Sequence, residues 1–233
     1  EIFMIDPADF PGDESEIGGL KFSDKREKNA YEKRRALPGG SGLEWFAMRD
    51  PNEARFFITD PEMKVKDEDD IPVIGRLVVN QWNSNQPGGG VWTVDSVGVL
   101  PEYRGKKIGL ALYGIALTIF KIHLASGEAQ TPNGRKMWSD ISSVPGVKIG
   151  MLVRRVRKFV SDRNFTEKGL ELLKSFPDDG TAYEKMVKKV GGKEFETDNQ
   201  FYIVPVKMKN GKAENDYFNV YGTAGIVLVA KKD

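Results

Sequence analysis

Val94-Asp95-Ser96-Val97-Gly98-Val99-Leu100-Pro101-Glu102-Tyr103-Arg104-Gly105-Lys106-Lys107-Ile108-Gly109-Leu110 is the stretch whose reading decides the fold. Its first part is apolar and rich in valine, as a buried strand requires, and Pro101 ends the strand because it has no N–H to donate. Gly105 permits a tight loop. From Lys107 the apolar residues change period: Ile108, Leu110, Ala111, Leu112, Ile115, Leu117 and Ile119 predict a buried helix over 107–122. In a strand, loop and helix so ordered, successive loop N–H groups point into one concavity and the helix start adds partial positive charge. Arg104, Lys106 and Lys107 bring formal charge to the same place. Two readings fit these residues: a cradle for phosphate or pyrophosphate, or an ordinary connection with exposed basic side chains.

Working outward, strands are predicted over 43–49, 54–60, 71–81 and 91–100, with Asp50-Pro51-Asn52 and 83–90 as turns between them. The polar stretch 6–35 carries a helix over 24–35 with a charged outer face, and the glycines of 37–42 break any regular element. Downstream come a short strand over 122–125 and a helix over 131–141, with Thr131 as its cap and Pro132 in its first position. The last third gives an apolar and basic run over 148–160, helices over 166–176 and 181–190, and closing strands over 201–208 and 225–230.

Composition narrows the chemistry. The 233 residues include 35 Lys and Arg against 34 Asp and Glu, a net charge of +1, so no overall field advertises nucleic acid or an anionic membrane. With no cysteine and His123 as the only histidine, disulfides, thiolate zinc sites and a cysteine nucleophile are excluded. His123, between Ile122 and Leu124, reads as a satisfied, partly buried side chain, and no metal site is expected. No apolar run reaches the roughly 18 to 20 residues that cross a bilayer. Residues 1–5 lack the basic start of a signal peptide, so the expected location is cytoplasmic.

Residues 99–109, V-L-P-E-Y-R-G-K-K-I-G, resemble the central motif of the GNAT acyltransferases, V-x-P-x-Y-R-G-K-G-I-G, with Lys107 where the family has glycine. The family's pyrophosphate pattern falls on Arg104, Lys107 and Gly109, and a helical φ at Lys107 is expected to tolerate the change. The resemblance implies a mixed α/β fold: a mostly antiparallel twisted sheet flanked by helices, with a splayed strand pair opening the acyl-CoA cleft. It covers 43–142 as the acyl-CoA-binding core, leaving 1–42 as an extension and 143–233 to complete or extend the sheet. It implies acetyl-CoA or another acyl-CoA as donor and an unspecified amine as acceptor. The pantetheine arm would pair with Val97 and Val99. Gly105, Lys106, Lys107, Ile108, Gly109 and Leu110 would hold the pyrophosphate beside Arg104.

Transfer needs a neutral amine and a proton for the leaving thiolate. Asp95 stands where several family members carry an acidic residue that serves or assists as base; the alternative is a strand-end aspartate facing solvent. Strand alternation puts Asp95, Val97 and Val99 on one face and Val94, Ser96 and Gly98 on the other. Trp138 occupies the place of the family's acidic tyrosine, and an indole is no proton source. Trp138 is therefore either a wall of the cofactor site or core. Ser126 heads the nearby hydroxyls, followed by Ser139, Ser142 and Ser143; Tyr202, Tyr217 and Tyr221 are available in the last third.

Lys148, Arg154, Arg155, Arg157 and Lys158 are either a contact for an acidic substrate or DNA lining the cleft, or the solvated side of an amphipathic element. The 126–138 stretch resembles phage-encoded GNAT proteins, which keeps a DNA-base modifier and a non-catalytic GNAT-fold protein as alternatives.

Overall fold

A computed structural model describes residues 20–21, 25–65, 67, 70–82, 91–126, 132–221 and 226–232; the polar stretch before 20, the 83–90 turn and the Thr131 cap lie outside them. Its strands are β1 (Leu20–Lys21), β2 (Arg35–Ala36), β3 (Glu44–Arg49), β4 (Glu53–Thr59), β5 (Asp70–Ile71), β6 (Val73–Gln81), β7 (Val91–Val99), β8 (His123–Ala125), β9 (Val147–Arg154), β10 (Lys193–Glu194), β11 (Phe201–Pro205), β12 (Lys207–Lys209), β13 (Lys212–Glu214) and β14 (Ile226–Lys232). Its helices are α1 (Lys25–Glu32), α2 (Ile108–Thr118), α3 (Pro132–Ser142), α4 (Glu167–Lys174) and α5 (Ala182–Lys189).

Ten strands form one sheet in the order β10-β11-β9-β14-β8-β7-β6-β4-β3-β2. Every neighbouring pair is antiparallel except β7 and β8. These two run parallel because α2 carries the chain back across the sheet between them. The fold is thus mixed α/β with a mostly antiparallel sheet flanked by helices. Strand β14 threads between β8 and β9, so late residues sit at the centre.

Alternation along β4 explains how the sheet is covered on both sides. Phe56 and Ile58 belong to the main core with α2 and α3, whereas Phe57 joins Phe46, Ile71 and Val73 on the opposite face, under Tyr31 of α1. Helix α2 is apolar around most of its circumference because it lies between the sheet and α3; Leu112, Ala116 and Leu117 are fully buried. Gly75 on β6 lets its first turn settle on the sheet, since a Cβ there would lie 2.7 Å from Ile108 Cγ2.

Some elements are shorter than their patterns predict, for local reasons. The strand expected over 71–81 is divided at Pro72, which cannot donate to a ladder, and β5 pairs with β1 instead. The helix expected to 122 stops at Thr118, and Lys121 takes a left-handed φ of 50° before β8. The 148–160 run is a strand followed by a 3-10 turn at Arg157–Phe159.

Candidate active site

Among the described residues, β7 pairs with β8 only at its start. Pairing is limited to Val91, Trp92 and Thr93 against His123, Leu124 and Ala125. Beyond Thr93, among the described residues, β7 keeps β6 as its only strand neighbour. Leu100 N–H donates to Ile74 O at 2.9 Å. Since alternate residues of an antiparallel ladder bond to the same neighbour, Ser96, Gly98 and Leu100 turn their polar backbone groups to β6. Val97 and Val99 therefore turn theirs to the open side. Arg104 Nε already reaches the Val99 carbonyl, at 3.4 Å.

Asp95 stands just beyond this pairing. Val94 pairs with Val79 and Ser96 with Val78, so Asp95 is the extra residue of a β-bulge. This corrects the simple alternation. Val94 shares a face with Val97 and Val99, all packed toward the main core, while Ser96 lies on the other face. Asp95 itself is exposed.

Past Val99 the chain makes a 3-10 turn at Pro101–Tyr103 and a loop into α2. Arg104 N–H and Lys106 N–H are used inside this loop, by Pro101 O and Tyr103 O. No acceptor among the described residues takes the N–H groups of Gly105, Lys107, Ile108, Gly109 or Leu110. The last three are the unpaired first-turn amides of a helix, and the positive φ values at Gly105 (78°) and Lys107 (61°) belong to the same turn. Lys107 is not helical as expected: it holds a left-handed conformation at the N-cap, where glycine sits without strain. For a lysine this costs about 1–2 kcal/mol, supported by the packing of α2 beneath it.

The loop forms one wall of a cleft of about 330 Å³; Lys136, Met137, Asp140 and Ser143 form the other. Gly109 lets the two helices close up, because a Cβ there would lie 3.1 Å from Met137 Cε. Tyr103 anchors the loop from below: its hydroxyl donates to Asp60 Oδ2 at 2.7 Å, and Lys106 Nζ lies 4.8 Å from its ring centroid. Burial, and then the Asp60 carboxylate, push the Tyr103 phenol up to about 12. The helical spacing of 136, 140 and 143 was the available signal for the far wall, and Tyr103 and Asp60 carried none of their pairing.

Other expected site residues are placed elsewhere. Ser126 is 2% exposed; its Oγ accepts Leu228 N–H at 3.0 Å and its N–H donates to Leu228 O, so it stitches β14 to the end of β8 instead of facing the cleft. Trp138 is 4% exposed in the main core and does not line the cleft, because Met137 and Asp140 occupy that side of α3. Ser142 donates to the Ser139 carbonyl, and Ser143, which does line the cleft, has its hydroxyl taken up by the Asp140 carbonyl. Tyr202 is buried on β11, and the Tyr221 hydroxyl accepts Ala213 N–H. His123 is half-buried against Phe195, and burial followed by Lys231 lowers its pKa. None of the 148–158 basic run lines the cleft. The described residues hold no cluster of metal ligands, and no helix among them is long and apolar enough to cross a membrane.

A parallel strand pair thus leads into a loop whose amides have no acceptor among the described residues, at the start of a helix. Residues 21–130 match the family model described as acetyltransferase (GNAT) family. The matched stretch begins upstream of β2 and ends before α3. A tandem GNAT protein from the clavulanic acid biosynthesis pathway is similar to this chain at 16% identity and a TM-score of 0.30, over 59% of this chain and 47% of that one. The chain thus spans about half the length of that protein. No curated protein matches the chain.

Proposed function

We propose that this protein transfers an acyl group, acetyl in the simplest case, from acyl-CoA to a primary amine, with Asp95 as base. One arrangement carries the reading: a half-strand paired only to β6 among the described residues leads directly into N–H groups without acceptors at the start of α2. Such donors fit a diphosphate, and the open-side groups of Val97, with the Val99 N–H, fit an amide-bearing arm laid down as an added strand. Arg104, Lys107 and Lys136 beside the cleft offset phosphate charge. When bound, acyl-CoA supplies an activated thioester carbonyl. Asp95, exposed at the bulge just past the β7–β8 pairing, accepts the proton an alkylammonium must lose before its nitrogen can attack. The acceptor amine belongs to a small molecule, a protein or a nucleic acid.

Calorimetry with acetyl-CoA, paired with turnover of model amines, tests the proposal. Asp95→Asn should bind acetyl-CoA as the parent does and lose about 10²- to 10⁴-fold in turnover. Unchanged turnover would remove Asp95 as the base, and absence of binding by the parent would remove the donor.

A further inference from the structure

A second cavity, of about 460 Å³, lies where β9 ends and shares no lining residue with the cleft. Its walls include Arg154, Arg155, Phe159, Glu184, Gln200 and Tyr202. The charges here can be followed one by one. Arg155 pairs with Glu194 at 3.0 Å, and Glu184 pairs with Lys188 at 2.6 Å. Arg154 has no carboxylate partner among the described residues. Its Nη1 donates to Gln200 Oε1 at 2.8 Å, and its guanidinium lies 4.5 Å from the Phe201 ring centroid, with the Trp82 and Phe159 rings at 5.9 and 6.0 Å. Ring faces orient a guanidinium without neutralising it, and its other N–H groups remain for a planar acceptor. At the rim stand Phe159, 56% exposed, and Val156, 51% exposed, the two most exposed large hydrophobics among the described residues.

We infer that this cavity binds a small carboxylic acid with a flat apolar body, the carboxylate on Arg154 and the body against Phe159. Arg154 is the one unbalanced charge among the lining residues and matches one carboxylate. Lys158 Nζ, 5.0 Å from the Phe159 ring centroid, adds positive charge at the rim, and the paired Glu184 opposes a more highly charged ligand. The volume is in the small-molecule range. The inference does not rest on acyl transfer.

Phenylbutyrate is a suitable probe, with phenylbutanol as its uncharged counterpart and a capped Phe-Glu dipeptide as a protein-like one. Titration of the whole protein, followed by amide NMR, should give saturable phenylbutyrate binding with shifts at Arg154, Asn199 and Gln200, and weaker phenylbutanol binding. Arg154→Gln should lower phenylbutyrate affinity by about tenfold or more. Phe159→Ala, at an exposed position that spares the fold, should lower it by a smaller factor and carries the test if Arg154→Gln does not fold. Equal affinity in these variants, equal binding of phenylbutanol, no saturation, or tighter binding of the dipeptide would each overturn the assignment.

Discussion

Arg104, Lys106 and Lys107 follow β7, and Arg154, Arg155, Arg157 and Lys158 close β9; both segments are basic and stand at the end of a strand, and they differ in the main chain. After β9 the backbone is used in part: Arg155 N–H goes to Gln200 O, Phe159 N–H to Val156 O and Val160 N–H to Arg157 O, while no acceptor among the described residues takes the N–H groups of Val156, Arg157 or Lys158. Its side chains are mostly taken up as well, Arg155 by Glu194 and Arg157 by Val160 O and Asp162. After β7 the N–H groups of Gly105 and Lys107 through Leu110 have no such partners. Density of basic residues therefore does not separate the two segments; what the loop after β7 adds is a run of unspent donors leading into the first turn of a full helix, α2.

The comparison can be broken or sharpened by substitution. Gly109→Leu drives a side chain between α2 and Met137 and should weaken acetyl-CoA binding by about 10- to 100-fold by calorimetry. The Arg155→Gln, Arg157→Gln double variant should leave it within about twofold, as expected for half-exposed pairs away from the cleft. Comparable losses in both would return the weight to side-chain charge. Gly75→Ala pushes on Ile108 and Leu112 and should cost about 1–3 kcal/mol of stability in urea titration. The smallest effect is expected at the N-cap. Lys107→Gly removes the left-handed lysine and should gain about 0.5–1 kcal/mol with acetyl-CoA affinity retained. A tenfold loss of affinity there would show that the ammonium binds as much as the amides do.

Much of the sheet was legible because period and turn chemistry act locally. The valine-rich run ending at Pro101 is β7, the change to helical spacing is α2, and Phe201 and Ile226 open strands close to where their apolar runs predict. Features set by distant partners were not. The bulge at Asp95 is a matter of register against Val78 and Val79, which no single strand encodes. Lys107 reads as helical, whereas its positive φ at the N-cap of α2 belongs to the loop's three-dimensional path, which a lysine does not announce. Ser126 read as a hydroxyl near chemistry because its partner, Leu228, is 102 positions away. Trp138 sits on the inner side of α3 because Met137 and Asp140 face the cleft, a rotation the motif comparison did not supply.

The late arrival of β14 has a consequence for how the molecule is made. Strand β8 is only His123–Ala125, and its antiparallel neighbour is not synthesised until some 100 residues later, at Leu228. Until then a nascent chain carries exposed apolar edges on β8 and β9, the kind of surface that invites aggregation and engages chaperones. Such long-range pairing also slows folding. One side of the β7–β8 junction is thus set only after some 100 further residues have been made, once the central strand has been threaded into place.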